Sequence, residues 1–336
     1  MKLTSLSFLF DFALIGVAGF IFLSPYLMMP SLIYPVRVDS LYVHNEQVKT
    51  SLEEKGANVQ NAKIFLFNPS SVNLYYENFN VRTKDSLILR GWYIPVNDEE
   101  ATTILILHDL NESKITCLDM IKPFHDRGFH VCIVDMRAHG NSDGETFSIG
   151  SPAVEDVKII LDSLYRRPET KHVALFGIGT GAAIGIQLFA KDNRPSVFIV
   201  QSGFNSYEKY VRIFADKQWG SFEKFLIPSL KIRLKRQMGY DVSALDFADI
   251  IKYDSIPTLF IAGSDDNIVD PKETSVLSDS SGARIKNFMT VQGAGHSDID
   301  EKGGGEYYNE IMAFINQSIP KKTKTVRNKK LAQLDQ

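Results

Sequence analysis

The stretch Val173-Ala-Leu-Phe-Gly177-Ile178-Gly179-Thr180-Gly181-Ala182-Ala183 reads as a short apolar strand, a tight glycine turn and a helix of small residues. A strand, sharp turn and helix with glycine at both ends of a five-residue turn is the frame that lifts a nucleophile off a sheet. The nucleophile in such a frame is the middle residue. Here that residue is Gly179, which has no side chain and cannot attack anything. Thr180 carries a hydroxyl, but a register with Thr180 in the middle puts Ile178 where the turn needs a small residue. It also turns the strand's alternation inside out. The apex of such a turn is strained, at a cost to a side chain on the order of 1–3 kcal/mol. Glycine enters that region freely, so Gly179 relieves strain while removing the nucleophile.

The elements that must carry this turn follow from the hydrophobic pattern. Residues 75–81 and 87–93 read as two strands of a hairpin joined at Thr83-Lys84-Asp85. From there apolar strands at 103–107, 131–134, 173–176, 197–200, 258–262 and 288–291 alternate with helical spacing at 114–127 (interrupted by Pro123), 153–165, 181–190 and 306–315. Such alternation predicts an α/β fold, a mainly parallel sheet covered by helices on both faces. Some fifty residues, about 203–256, interrupt it. They are rich in aromatics (Phe204, Tyr207, Tyr210, Phe214, Trp219, Phe222, Phe225) and in Lys and Arg. A helical insertion at the carboxyl end of a strand lies over the ligand crevice. These aromatics either pack the insertion onto the sheet or line a lid over an apolar or acyl pocket.

From about Tyr75 to the last helix the sequence resembles the α/β-hydrolase superfamily, and within it the membrane-anchored, Bem46-like and prolyl-oligopeptidase-related branch. Four stretches carry the resemblance in the family's order: Ile104-Leu-Ile-Leu-His108; Asp135-Met-Arg137-Ala-His139-Gly140-Asn-Ser142-Asp-Gly144; the turn Gly177 to Gly181; and Pro257-Thr-Leu-Phe-Ile-Ala-Gly263-Ser-Asp-Asp266-Asn-Ile-Val-Asp270-Pro271 followed by Val291-Gln-Gly-Ala-Gly-His296. The resemblance implies that Asp266 is the acid and His296 the base of a triad, with Gly179 at the nucleophile's position. Asp265 is adjacent, but the Gly-x-x-Asp spacing favours Asp266. In such a triad a histidine takes the hydroxyl's proton, and the acid holds its tautomer and stabilises its cation. Two backbone N–H groups are expected to receive the oxyanion, those of Thr180 and, by resemblance, Leu110. The family usually has Gly after the histidine where this chain has Asp109, and a carboxylate beside a developing oxyanion opposes it. Ser202, after the next strand, reaches the same crevice edge.

The remaining sequence sets bounds. The chain has 336 residues and a net charge of −3, which argues against nucleic acid as a partner. Two cysteines, Cys117 and Cys132, leave the redox compartment open. Cys132 sits in an apolar run and reads as a packed small hydrophobe. No CxxC or HExxH spacing points to a metal, and no cofactor is implied. Residues 12–34 carry no charge and are long enough to cross a bilayer. An uncleaved anchor is expected over a cleaved signal peptide, because Ser24-Pro-Tyr and Met29-Pro-Ser are poor cleavage sites. The expected organisation is an anchor over 1–36, a linker over 37–74, the hydrolase domain over 75–319 and a basic, solvated tail over 320–336. Three functions fit: a degenerate hydrolase that binds an apolar or acyl-type ligand or a partner; an active hydrolase of ester, thioester or amide bonds using a noncanonical nucleophile or water activated by His296 and Asp266; and a scaffold whose lid is a partner surface.

Overall fold

The structure, a computed structural model, describes residues 67–319, residues 32–39, and positions 15, 16, 19, 20 and 23. The anchor's interior, most of the linker and the basic tail lie outside the described residues. β1 (Glu77–Arg82) and β2 (Ile88–Ile94) form the predicted antiparallel hairpin. β3 (Thr103–Leu107), α1 (Leu118–Asp126), β4 (His130–Val134), α2 (Ser151–Tyr165), β5 (Val173–Ile178), α3 (Thr180–Phe189) and β6 (Val197–Gln201) follow. The lid holds α4 (Tyr207–Trp219), α5 (Glu223–Met238) and the one-turn α6 (Phe247–Ile250). β7 (Thr258–Gly263), α7 (Pro271–Ser280), β8 (Lys286–Val291) and α8 (Ile299–Ser318) complete the domain.

The eight strands form one sheet in the order β1-β2-β4-β3-β5-β6-β7-β8. β2 pairs antiparallel with β4, and every pairing from β4 to β8 is parallel. This is the expected α/β-hydrolase architecture. β3 to β7 are buried along their whole length, so they read as unbroken apolar runs, as parallel strands covered on both faces must. One apolar layer packs α2 and α3 on one face of the sheet, and a second packs α1 and α8 on the other. Cys132 lies within the first and Cys117 within the second, both free thiols. The register sets Leu107 beside Gly177 and Ile178 beside Gln201. The segments that follow β3, β5, β6 and β7 therefore emerge side by side at the carboxyl edge of the sheet, where ligands bind in such folds.

Residues 32–38 form a strap across the domain. Leu32 and Ile33 are fully buried. The Phe147 N–H donates to the Ile33 carbonyl at 2.7 Å, and the Val36 N–H to Asn111 Oδ1 at 2.8 Å. The Arg37 guanidinium donates to the carbonyls of Gly140, Ser142 and Gly144. The end of the uncharged run is thus part of the folded domain. No helix among the described residues is long and apolar enough to cross a membrane.

Candidate functional site

Three loop ends and the elbow meet at the carboxyl edge of the sheet. At the elbow, Gly179 has φ 52° and ψ −112°, a conformation that disfavours a side chain. The first turn of α3 lies directly on the end of β3, so a Cβ on Gly181 would run into the Leu107 and His108 carbonyls. After β3 the chain turns through His108, Asp109 and Leu110. The Met136 N–H donates to His108 Nε2 at 3.0 Å, which leaves the proton on Nδ1 to donate to the Asp109 carbonyl at 2.7 Å. Burial holds His108 below the usual histidine range, so this ring is a neutral strut. The Asp135 to Gly144 loop braces the site from outside. Asp135 is fully buried, pairs with the Lys114 ammonium and accepts the N–H groups of Lys114 at 2.7 Å and Asn141 at 2.9 Å.

Asp109 points inward and is 4% exposed. Its Oδ1 accepts the Leu110 N–H at 2.7 Å, the Thr180 N–H at 2.6 Å and the Thr180 hydroxyl at 2.8 Å. Both N–H groups expected to receive an oxyanion thus converge on one carboxylate oxygen. Oδ2 lies 2.9 Å from His296 Nε2. On its other side His296 Nδ1 lies 2.8 Å from Asp266 Oδ2. Asp266 also accepts the Ser202 hydroxyl at 2.9 Å and the N–H groups of Ile268 at 2.9 Å and Val269 at 2.8 Å. The Asp265 carboxylate instead takes the Ser264 hydroxyl at 2.7 Å.

Since both of its partners are carboxylates, both ring nitrogens of His296 donate, and the ring is an imidazolium. Burial opposes that cation, but the two carboxylates outweigh it and push His296 up to about 10. Burial likewise opposes the two anions. His296, with the Thr180 donors for Asp109 and the Val269 and Ile268 N–H groups for Asp266, holds both below the usual carboxylate range. A histidine with both nitrogens committed has no lone pair with which to take a proton from water or a hydroxyl. A Cβ on Gly179 would run into the Asp109 carboxylate. Gly179→Ser alone is therefore expected to lower stability by about 2–4 kcal/mol, from overpacking and a disfavoured φ together. Urea unfolding checks this; an unchanged midpoint would mean that Asp109 yields its position freely. Among the described residues no cluster of His, Cys, Asp and Glu is arranged to hold a metal.

The family model for serine aminopeptidase, S33, matches residues 98–255. The α/β hydrolase domain-containing protein WAV2 of Arabidopsis thaliana is 25% identical over 272 residues, 78% of this chain and 86% of that protein. Protein bem46 of Schizosaccharomyces pombe is 24% identical over 257 residues, 74% of this chain and 80% of its own. A polyketide transferase of Aspergillus fumigatus is 24% identical over 72% of this chain and 98% of its own. A Pyrococcus furiosus esterase superposes with a TM-score of 0.61 at 18% identity, covering 76% of this chain and 96% of that one. The chain has the α/β-hydrolase fold. Its sequence is similar to the α/β-hydrolase superfamily and, within it, to the Bem46-like branch.

In this α/β hydrolase fold, Asp109, Leu110, Thr180, Asp266 and His296 are brought together at Gly179, as their motif positions require. Ser202 also reaches the site, with its hydroxyl bound to the acid. Sequence reasoning missed one neighbour, Glu112. The Glu112 carboxylate accepts the Asp109 N–H at 3.2 Å, and burial, then the Asp109 charge, push it up to about 7. Tyr210 of α4 is fully enclosed and stacked on Phe204 with ring centroids 4.4 Å apart. Its aromatic setting in the insertion was the available signal, and it reads equally well as plain packing. Phe204 and Tyr207 are buried too, whereas Phe222 and Phe225 are exposed, so the lid aromatics divide between core and surface.

Proposed function

We propose that this chain is a membrane-anchored α/β-hydrolase-fold protein that acts by binding a ligand or a partner and forms no serine acyl-enzyme. Gly179 then stands where relatives with that chemistry carry the nucleophile. The observation that carries the reading is the Asp109 carboxylate. It takes both N–H donors of the oxyanion site and one nitrogen of His296, and it lies where a side chain on residue 179 would have to go. A fixed anion among those donors is the electrostatic opposite of what an acyl-transfer transition state needs. An apolar or acyl-type small molecule is the ligand class that the aromatics of the lid favour, and similarity to a protein described as a polyketide transferase agrees with it. The uncharged run 12–34 supports the anchor.

The rival reading, hydrolysis by water activated at His296 and Asp266, draws on the intact 2.8 Å contact between that pair. It requires Asp109 to leave His296 Nε2 so that the ring can act as a base. Wild-type protein is expected to show no labelling by a fluorophosphonate probe and no turnover of p-nitrophenyl acetate or p-nitrophenyl octanoate above a His296→Ala control. Turnover abolished by His296→Ala would sink the binding reading and establish the rival.

A further inference from the structure

The lid carries an apolar surface that the Asp109 site does not use. α5 buries Leu226, Ile227, Leu230 and Leu234 against the domain. At 3.6 residues per turn, Phe225, Pro228 and Ile232 stand on the opposite side. Phe225 is 54% and Ile232 64% exposed. A surface helix ordinarily turns a polar face to water, whereas α5 is apolar on both sides. Lys224 and Lys235 edge the outward stripe on one side and Arg236 on the other, all three exposed. The helix carries five Lys and Arg against one Glu. Beside the stripe runs a cleft of about 400 Å³ with Ile227, Pro228 and Ile232 along it and Arg212, Lys231 and Lys235 at its rim. The counter-charges there are Glu208 and Glu223 on Arg212, Glu208 on Lys231 and Asp241 on Lys235. Described residues of the uncharged amino-terminal run meet the lid at the end of α4 and in the last turn of α5. The Phe20 ring packs edge-on against Trp219 with centroids 5.2 Å apart, and the Tyr34 hydroxyl accepts from Gln237 Nε2 at 2.7 Å.

We propose that the outward face of α5, with Phe225, Pro228 and Ile232 as its apolar stripe, lies on an anionic membrane surface. This goes beyond the reading of the site and shares with it only the membrane anchor. An in-plane helix with aromatic and aliphatic residues flanked by cations gains both from burial at the headgroup boundary and from attraction to anionic lipid. A second copy of the chain is the poorer occupant, because a two-fold contact would set the same cations against each other.

The test uses the full chain with Ile232→Cys labelled by an environment-sensitive fluorophore, and Val276→Cys on exposed α7 as the control site. Cys117 and Cys132 are buried, so the label goes to the introduced thiol. With vesicles of phosphatidylcholine and phosphatidylserine at three to one, the probe at 232 is expected to shift to the blue and to be quenched by shallow spin-labelled lipid, while the probe at 276 does neither. Replacing phosphatidylserine with phosphatidylcholine is expected to cut the quenched fraction about fivefold or more, the effect of a single cation near anionic lipid. Vesicle-bound protein whose 232 probe stays aqueous and unquenched overturns the proposal and leaves the anchor standing. A blue shift without quenching means that protein covers the face, and also overturns it. Wild-type chain that does not float with vesicles overturns the proposal and the anchor together.

Discussion

The double variant Asp109→Gly/Gly179→Ser is expected to react with a fluorophosphonate probe at least about a hundredfold faster than the wild type or either single variant. Each change supplies what the other lacks. Removing the Asp109 carboxylate frees the Leu110 and Thr180 N–H groups, now spent on Oδ1. It also frees His296 Nε2, which then keeps Asp266 alone as a partner and becomes able to accept a proton. Placing Ser at 179 restores a hydroxyl on the strained turn, and the space for its Cβ exists only once the carboxylate is gone. Asp109→Gly alone has donors and a base but no nucleophile. Gly179→Ser alone has a nucleophile pressed against an anion that still fills the donors. The two positions touch, so strong non-additivity is the expected signature. Both single variants and the double need unfolding curves alongside the labelling. A folded double variant that stays unlabelled would falsify the convergence of Asp266, His296 and residue 179 on one reacting atom. Equal labelling of Gly179→Ser alone would show that Asp109 does not block the site.

The fold was legible because its strands are buried on both faces. Thr103–Leu107 has every residue enclosed, and such a run can be read from composition alone. The edge strand Lys286–Val291 was seen only from Phe288 onward, because its first residues face solvent and carry no apolar signal. Helical spacing over 114–127 overstated α1, which starts at Leu118. The residues before it are held as a loop by side chains, Thr116 Oγ1 bonding the Ser113 N–H and carbonyl, and Lys114 tied to Asp135. The last helix begins earlier than its apolar face suggested, at Ile299, and breaks at Gly304 with φ 51° and ψ −137°. Three successive glycines there hid the first turn.

The site was legible in its parts and not in its state. Motif order gave Asp266, His296, Thr180, Leu110 and Gly179, and Asp109 stood out as a carboxylate where the family has glycine. Its direction could not be read. That direction is set by Thr180, 71 residues away, and His296, 187 residues away, and a local sequence carries no trace of such partners. The same limit hid the Ser202 contact to Asp266 across 64 residues. The result matters for function, because an outward Asp109 would have left the two N–H donors open.

The charge state of His296 is where the electrostatics can be tested apart from any substrate. The imidazole ¹⁵N signals of wild-type protein are expected to report a cation through neutral pH, titrating near 10. In Asp109→Asn the ring keeps one carboxylate, and the titration is expected to fall by about two pH units or more, a change of about 3 kcal/mol in favour of the neutral ring. Stability follows with a definite sign. His296 has its folded pKa raised above the ordinary 6.5, so its contribution is complete below about 6.5 and is lost as pH rises through 10. Asp109 and Asp266 have theirs lowered, so their contribution is present above the ordinary carboxylate value of 3.8 and is lost as pH falls through their folded values. The three together favour the folded state most between about 4 and 6.5 and progressively less toward pH 10. Urea unfolding from pH 6 to pH 10 is therefore expected to show the wild type losing stability with a slope of up to about 1.4 kcal/mol per pH unit from this one proton, and Asp109→Asn sloping less. A wild-type His296 that titrates near 6.5, with parallel stability curves for the two proteins, would mean that the ring is neutral and Nε2 accepts. Asp109 would then have to carry the shared proton, and the general-base chemistry that the paired carboxylates now deny to His296 would be open to it.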